Sequence, residues 1–263
     1  MDNLNRDNII NIIKNRFISM DEVYAFWLEG ADGLNAVDEY SDIDIWLDVE
    51  DGYEAIVFKI AEEELSKLGK LDFKFSLNHK HPKICQNYYH VEGTSEYLII
   101  DFCIQSHSRD KNEVRFVEGD ILEFPKVIFD KAKVITILDK DEEIDISLIQ
   151  NLISEIKGKY MQHSRVIKYV ERNNYPEAFI YYLKYVADPL VELVRLKYTP
   201  KYHYLHMIHI SNHIPAEAIN MLTYYYQIST LEDIRIKTIK AKETCSKLIE
   251  EIEDIYWKSQ SKI

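Results

Sequence analysis

Cysteines and long apolar runs are scarce in this chain of 263 residues. Cys85, Cys103 and Cys245 lie far apart without a CxxC pair, which argues against a thiolate zinc site and a disulfide scaffold. Each is expected to be a small buried apolar residue. No uninterrupted apolar run approaches the roughly 18–20 residues of a membrane-spanning helix, and the N-terminus lacks a signal-peptide pattern. We therefore expect a cytoplasmic protein without a membrane partner.

Basic residues are absent from one long stretch. Phe17 to Phe58 contains twelve carboxylates and no Lys or Arg. The formal net charge of the chain is −13, and residues 1–140, with 28 acidic against 16 basic residues, carry −12 of it. Binding to duplex nucleic acid needs concentrated positive charge, so the pattern excludes that partner. A cation is the natural counterpart, either a metal ion or an amine-bearing substrate.

The hydrophobic pattern changes from mixed to purely helical near residue 140. Before it, the pattern predicts helices over 6–18 and 53–68 and strands over 23–28, 43–49, 71–77, 84–91, 96–105, 127–129 and 134–137. After it, the pattern predicts helices over 146–171, 176–197, 203–211, 215–228 and 231–257. The predicted fold class is α+β, with a mixed sheet and helices in a domain of residues 1–140 and an all-helical bundle in a domain of residues 141–263.

Three carboxylates lie on two of the predicted strands. Asp42 and Asp44 are two residues apart, so they project from one face of a strand while Ile43 and Ile45 face the other layer. Asp101 interrupts an otherwise apolar strand, where an acid without a partner is costly. Carboxylates held side by side repel one another unless a cation lies between them. Together the three predict a hard-metal site that suits Mg²⁺ and a nucleoside triphosphate.

The spacing of these residues resembles a known motif. Gly30, a small residue, ten intervening residues and the strand sequence Asp42-Ile43-Asp44 are followed some fifty residues later by the isolated strand residue Asp101. The pattern resembles the nucleotidyltransferase superfamily, which includes DNA polymerase β-like enzymes and aminoglycoside or lincosamide nucleotidyltransferases. The resemblance covers about residues 23–105. A helical C-terminal half is also found in the antibiotic-modifying members, so the resemblance implies a nucleotidyltransferase domain followed by a helical substrate-binding domain.

The resemblance also implies roles for individual residues. Asp42 and Asp44 would bind two Mg²⁺ ions, and Asp101 would help to hold one of them and to deprotonate the acceptor hydroxyl. Gly30 would open the turn that receives the triphosphate. Ala31 stands where the family usually has Ser, whose hydroxyl helps to hold phosphate. The loss of one neutral hydroxyl contact, about 0.5–1.5 kcal/mol, would weaken nucleotide binding without removing the metal site.

Four residues complete the predicted nucleotide contacts. The backbone amides of Ala31 and Asp32 would form an anion-binding nest, and Ser41 is assigned to the same loop. Lys184 is assigned to the β- and γ-phosphates, a role for which the nearby cations Arg195 and Lys201 are alternatives. The remaining acids of the base-free stretch are expected to be solvated or to lie behind the metal ligands. These acids are Glu29, Asp32, Asp38, Glu39 and Asp48.

Other motifs favour structural roles. His203, His206 and His209 are three residues apart, a spacing that drifts around a helix, so we expect exposed or half-buried imidazoles rather than a metal site. Four tyrosines at helical spacing are expected in the bundle core rather than in an aromatic wall of a binding site; they are Tyr181, Tyr182, Tyr185 and Tyr198. The sequence contains no Walker A loop and no GxGxxG motif.

The sequence thus predicts a Mg²⁺-dependent nucleotidyltransferase of small-molecule type. It would transfer a nucleoside monophosphate from ATP or another nucleoside triphosphate to a hydroxyl, in a cleft between the two halves. The acidic surface would attract a cationic acceptor such as an aminoglycoside-like antibiotic, which implies a role in antibiotic resistance. Two alternatives stay open: a protein adenylyltransferase of toxin–antitoxin type, and a nucleotide-binding module without turnover, which Ala31 favours. The acceptor, the nucleobase and the oligomeric state are also left open.

Overall fold

The computed structural model describes residues 4–140 and 143–258. The chain divides into two compact units, Met1–Asp141 and Glu142–Ile263. Residues 141 and 142, where the sequence places the domain boundary, lie outside the described residues. The predicted fold class is confirmed, because a mixed sheet with helices is followed by an all-helical unit.

The first unit is built on a six-stranded mixed sheet in the order β3-β4-β5-β2-β1-β7. Its elements are α1 (Arg6–Phe17), β1 (Val23–Leu28), α2 (Gly30–Gly33), β2 (Ile43–Val49), α3 (Glu54–Leu65), β3 (Leu71–Leu77), β4 (Ile84–Val91), β5 (Ile100–Ser106), β6 (Arg115–Val117), β7 (Lys126–Asp130) and β8 (Thr136–Leu138). The β2–β5 pair is parallel, and the other pairs of this sheet are antiparallel. The short strands β6 and β8 form a separate parallel pair.

One face of this sheet is covered by α1 and α3. Both helices place apolar residues at helical spacing, such as Ile9 and Ile13 of α1, in the same core as the alternate strand residues Ile43, Ile45 and Phe102. Each fully buried side chain of this size contributes about 1.5–3 kcal/mol to folding. Because strand side chains alternate, the residues between them project from the opposite face. We call that opposite face of the six-stranded sheet the site face.

The second unit is helical throughout its described residues. Its α-helices are α4 (Ile146–Tyr160), α5 (Ser164–Glu171), α6 (Tyr175–Tyr182), α7 (Asp188–Tyr198), α8 (Ile210–His213), α9 (Ala216–Tyr226) and α10 (Leu231–Glu253). Tyr182 and Tyr185 are buried in its core and Tyr181 packs against it, as the sequence predicts, whereas Tyr198 is exposed, so the prediction for that residue is wrong. The longest helix, α10, begins at a capping box in which the Thr230 side chain accepts from the Asp233 amide and Asp233 reciprocates.

Three predicted helices need correction. The helix predicted over 203–211 is wrong: Pro200–Leu205 is a 3-10 helix, and His206 and His209 have left-handed backbones. The buried Arg195 side chain donates to the His206 and Ile208 carbonyls, which a regular helix would need for its own hydrogen bonds. The helix predicted over 146–171 is interrupted by a 3-10 turn at Met161–His163.

The helix predicted over 176–197 is interrupted by the π-helical turn Leu183–Ala187. That turn ends just before Pro189, whose ring nitrogen cannot donate to the helical ladder, so the hydrogen-bond pattern shifts there. In the first unit, β6 lies outside the strands that the sequence pattern predicts.

The prediction for one cysteine is also wrong. Cys103 and Cys245 are buried, but Cys85 is exposed. Partial burial, followed by the charge of Glu54 at the start of α3, raises the pKa of the Cys85 thiol. Within the described residues, no helix combines the length and the apolar character needed to cross a bilayer.

Candidate active site

Asp44 and Asp101 are cross-strand neighbours on the parallel pair β2–β5. Ile43 and Ile45 point into the helix-covered core, so Asp44 projects from the site face. Asp101 occupies the paired position of β5 and projects from the same face. The sequence predicts the face of each carboxylate from alternation; the register of the sheet makes them neighbours.

Asp42 lies just before β2 and is exposed. Burial, followed by the charges of Asp42 and Asp101, raises the pKa of Asp44 to about 7, and Arg6 opposes this shift. Burial also raises the pKa of Asp101; hydrogen bonds lower it, and the charge of Asp42 adds to the rise. The three predicted metal ligands therefore form one electrostatic group whose members repel each other, which a bound cation would relieve.

Gln86 of β4 holds the carboxylate of Asp101. Its side-chain nitrogen lies 2.8 and 2.9 Å from the two carboxylate oxygens and 2.9 Å from the hydroxyl oxygen of Tyr88. The amide donates to Asp101 and fixes the plane of its carboxyl group. Sequence reasoning missed Gln86, because its link to Asp101 depends on the pairing of β4 with β5.

Gly30 brings the backbone against Asp44. Its φ is +55°, and a Cβ atom built on it would lie 2.0 Å from Oδ2 of Asp44. The amide of Glu29 also donates to the backbone carbonyl of Asp44, at 3.1 Å. Only glycine satisfies both the left-handed backbone and the close approach. The predicted turn at Gly30 is thus packed directly against a predicted metal ligand, and Ala31 follows it in the short helix α2.

Of the two expectations for Asp32, solvated or behind the predicted metal ligands, the structure excludes the first, because Asp32 is buried. Its carboxylate forms ion pairs with Arg6 of α1 and, at 3.1 Å, with Lys126 of β7. The Arg6 guanidinium also donates to the carbonyl of Ser41, at 3.1 Å. Arg6 therefore joins both ends of the loop between β1 and β2. No local sequence pattern marks Arg6 or Lys126 as a partner of Asp32, since 26 and 94 residues separate them from it.

The Ser41 hydroxyl is engaged within its own turn. It donates to Oδ1 of Asp38 at 2.8 Å and accepts from the Asp38 amide at 3.0 Å. The hydrogen bond from the Ser41 side chain, followed by the one from the Tyr40 amide, lowers the pKa of Asp38. The predicted nucleotide contact of Ser41 would have to compete with this turn.

Two further acids, Asp48 and Glu29, are also not fully solvated, the first being buried and the second half-buried. Asp48 is buried, accepts from Gln105 at 2.7 Å and lies 2.5 Å from His107, while burial raises its pKa. Burial raises the pKa of Glu29 to about 7, although its carboxylate accepts from the Trp27 indole at 2.7 Å. Glu29 precedes Gly30 and senses the charge of Asp44, a relation that the sequence analysis missed.

The cations predicted for phosphate binding lie in the second unit. Lys184 is exposed in the π-helical turn, with its ammonium 5.4 Å from the ring centre of Tyr185. Arg195 is fully buried among the Thr199 hydroxyl and the backbone carbonyls of His206 and Ile208, so its alternative role is wrong. Of the residues that the sequence predicts for the site, the structure brings Gly30, Asp44 and Asp101 together, with Asp42 beside them.

The described residues contain no ready-made group of three His, Cys, Asp or Glu side chains able to hold a metal. Asp42 lies outside β2, whereas Asp44 and Asp101 are paired within the sheet. Mg²⁺ usually binds through one or two carboxylates together with water and substrate phosphates rather than in an all-protein cage. The half-buried pair Asp44 and Asp101, with its raised pKa values, fits an ion whose remaining ligands are water and phosphate.

No family model and no curated protein matches this sequence. The solved structures that match most of the chain at low identity include the following three. An aminoglycoside 6-adenyltransferase from Bacillus subtilis is 13% identical, with 95% of this chain and 91% of that chain covered and a TM-score of 0.36. The spectinomycin adenyltransferase from Enterococcus faecialis, solved with ATP and spectinomycin, is 10% identical, with 90% and 100% covered and a TM-score of 0.32. JHP933 from Helicobacter pylori is 11% identical, with 97% and 96% covered and a TM-score of 0.30.

Proposed function

We propose that this protein transfers a nucleoside monophosphate from a nucleoside triphosphate to a hydroxyl of a small molecule. The observation that carries the proposal is the placement of Asp44 and Asp101 on adjacent parallel strands, with the backbone of Gly30 against the Asp44 carboxylate. Paired carboxylates beside a tight glycine turn suit a reaction in which charge develops on phosphate oxygens.

In the proposed reaction, the acceptor oxygen attacks the α-phosphorus, and the bond from that phosphorus to the oxygen bridging the α- and β-phosphates breaks. Pyrophosphate leaves with the bonding electrons, and the hydroxyl proton passes to the carboxylate of Asp101. Gln86 orients that carboxylate through its two contacts. The backbone at Gly30, Ala31 and Asp32 would approach the triphosphate, and Ser41 and Lys184 are proposed as further nucleotide contacts.

Asp42, Asp44 and Asp101 would hold the Mg²⁺ ions that accompany the nucleotide, two ions being the number that the sequence resemblance implies. When bound, Mg²⁺ supplies electrostatic stabilisation of the attacking and leaving oxygens. Burial and the repulsion of neighbouring acids raise the pKa values of Asp44 and Asp101, an imbalance that a nearby cation would relieve. That imbalance supports metal binding by these side chains.

A cationic acceptor of aminoglycoside type is the proposed substrate class. The first 140 residues carry a net charge of −12, and an acidic surface attracts polyamines over distances of about a Debye length, ~8–10 Å. Modification of such a molecule would connect the protein with antibiotic resistance.

The test is transfer of label from α-³²P-labelled ATP, GTP, CTP or UTP with Mg²⁺ and a panel of aminoglycosides and lincosamides. We expect a labelled antibiotic and equimolar pyrophosphate. Asp44→Asn and Asp101→Asn should each reduce the rate at least about 100-fold, the scale expected when a group that stabilises the transition state is removed. Glu39→Gln is the matched control, because it removes an exposed charge from the same acidic stretch, and it should retain the wild-type rate.

Two other outcomes have defined meanings. If label enters a polypeptide of a cell lysate and no small molecule, the protein adenylyltransferase is correct and the small-molecule assignment is wrong. If the nucleotide binds with Mg²⁺ but no acceptor in either assay is labelled, the chain is a binding module, as the alanine at position 31 would favour.

A further inference from the structure

The line of paired residues that contains Asp44 and Asp101 continues to the edge of the sheet. Asp101 is paired with Tyr88 of β4, and Tyr88 is paired with Phe75 of β3. Paired residues project from the same side, so all four side chains lie on the site face. With about 4.8 Å between strands, the line from Asp44 to Phe75 is about 14 Å long.

The outer end of this line is an exposed aromatic surface. The rings of Phe75 and Tyr88 are stacked, with their centres 6.3 Å apart and their planes at 28°. Phe75 is 51% exposed, and its neighbours on the same face of the edge strand, Phe73 and Leu77, are 46% and 39% exposed. Three exposed apolar side chains in alternation on one strand are an expensive arrangement in water and indicate a binding surface.

The negative charge around this surface favours some binding partners over others. A second copy of the chain would bring a unit of net charge −12 against the same acidic unit, and the resulting repulsion opposes self-association. A nucleoside triphosphate is also strongly negative. A cationic acceptor matches the charge of the neighbouring carboxylates. Its ammonium groups interact favourably with the faces of aromatic rings, and the C–H groups of its saturated rings pack against those faces.

We propose that Phe75 and Tyr88 form a stacking platform for the acceptor, which lies along the line with its reacting hydroxyl at Asp101 and a second ring over Phe75. This inference rests on the proposed function. The platform selects for elongated acceptors. A molecule with one ring cannot reach from Asp101 to Phe75, because Phe75 lies two strands and about 10 Å away. Phe75 thus determines specificity, and Asp101 remains the residue that contacts the reacting group.

The experiment measures binding by calorimetry with three probes in the presence of Mg²⁺ and a non-hydrolysable ATP analogue. The probes are neamine, which has two rings and several amines, 2-deoxystreptamine, which has one ring, and maltose, which has two rings and no charge. The proteins are wild type, Phe75→Ala, Phe75→Trp and Ile56→Ala. Ile56 is a matched control, because it is an exposed apolar residue of α3, on the other side of the sheet.

We expect neamine to bind the wild type and to bind Phe75→Ala about three- to tenfold more weakly, the size of a lost aromatic contact. Phe75→Trp should restore the affinity, and Ile56→Ala should match the wild type. Binding of 2-deoxystreptamine should be the same in all four proteins, and maltose should bind more weakly than neamine. Affinity for the ATP analogue should stay within about twofold throughout.

Three results would overturn the platform. They are equal binding of neamine to wild type and Phe75→Ala, no binding of neamine to the wild type, and an equal loss for 2-deoxystreptamine. If sedimentation shows that Phe75→Ala dissociates a dimer while neamine affinity is unchanged, a second copy occupies the surface instead. Failure of the labelled-nucleotide assay with intact, Phe75-dependent neamine binding refutes the proposed reaction and leaves the platform standing.

Discussion

Gly30 shows how a single missing side chain shapes the site. A residue with a Cβ would meet Oδ2 of Asp44 at 2.0 Å and would also have to adopt a φ of +55°. The left-handed backbone alone costs a non-glycine residue roughly 1–2 kcal/mol. The steric conflict would also displace the Asp44 carboxylate, and this displacement would impair the proposed reaction.

Gly30→Ala should therefore destabilise the protein by about 1–2 kcal/mol or more and reduce nucleotidyl transfer at least about tenfold. Urea unfolding and the labelled-nucleotide assay measure the two effects. Gly52→Ala is the control, because Gly52 has a φ of +91° and no atom within 4 Å of an added Cβ. It should lose similar stability and keep its activity. Equal activities of the two variants would show that Gly30 does not position Asp44.

His90 and Asp72 provide a pH-dependent pair on β4 and β3. The His90 ring nitrogens lie 2.6 Å from the Asp72 carboxylate and 3.0 Å from the Ser95 carbonyl oxygen, so the imidazolium can donate to both. Burial lowers the pKa of His90, but these two contacts outweigh it and the net shift is upward. The His90 contact in turn lowers the pKa of Asp72.

The sign of the stability effect follows from these directions. The contacts of His90 stabilise the folded state fully at pH values below the unfolded pKa of His90, about 6.5. This stabilisation is lost as the pH rises through the higher pKa of His90 in the folded state. The Asp72 carboxylate stabilises the folded state at pH values above its unfolded pKa of about 3.9. This stabilisation is lost as the pH falls through the lower pKa of Asp72 in the folded state. The difference in unfolding free energy between wild type and His90→Asn should therefore be larger at pH 5.5 than at pH 8.5, measured with urea. In an Asp72→Asn background the dependence should disappear; its persistence would contradict the pairing.

At the scale of elements, a continuous apolar run predicted β1, and strand-like patterns predicted β2, β3 and β4, all with the observed bounds. These signals are local and arise from burial of one face. The residues that the sequence analysis missed or misplaced depend on distant partners. Gln86 reaches Asp101 only through strand pairing, and Arg195 reshapes the segment after α7 through carbonyls 11 and 13 residues away.

The attachment of α1 to the loop between β1 and β2 is the element-scale feature with the clearest consequence. Arg6 donates both to the buried carboxylate of Asp32 and to the Ser41 carbonyl. Arg6→Ala would remove both contacts and leave Asp32 with Lys126, so part of the charge remains compensated. We expect a loss of about 2–3 kcal/mol in unfolding free energy, between the values for a charged hydrogen bond and a broken buried pair.

Arg16→Ala is the matched control on the same helix. Arg16 pairs with Glu64 at 3.6 Å and is substantially exposed, so its removal should cost less than about 1 kcal/mol. Arg6→Ala should in addition weaken binding of the Mg²⁺–ATP analogue, because the loop carries Gly30 and ends at Asp42. If both variants lose the same stability and keep nucleotide affinity, α1 does not brace the loop.

At the scale of the whole molecule, some acids of the base-free stretch Phe17–Phe58 lie against basic residues from other parts of the chain. Arg6 and Lys126 pair with Asp32, Lys83 with Asp51 at 2.9 Å, and His107 lies against Asp48. Composition located the acidic excess, but it could not show which acids are paired. Across residues 4–140 and 143–258, the ion pairs of the structure do not include Asp42 or Asp44. Within the described residues, Asp42 and Asp44 are therefore among the acids of this stretch that no ion pair neutralises.

This charge distribution predicts a stabilisation by Mg²⁺ that monovalent salt cannot reproduce. Sodium chloride should raise the unfolding free energy modestly by screening the net charge of −13. At matched ionic strength, a divalent ion that binds only the folded state adds to this by mass action. For a dissociation constant of roughly 1 mM, 10 mM Mg²⁺ adds about 1.4 kcal/mol. Urea unfolding in the two salts, without nucleotide, measures the difference. Asp44→Asn should lose it and Glu39→Gln should keep it; equal effects of the two salts on the wild type would show that these carboxylates do not hold the ion in the absence of nucleotide.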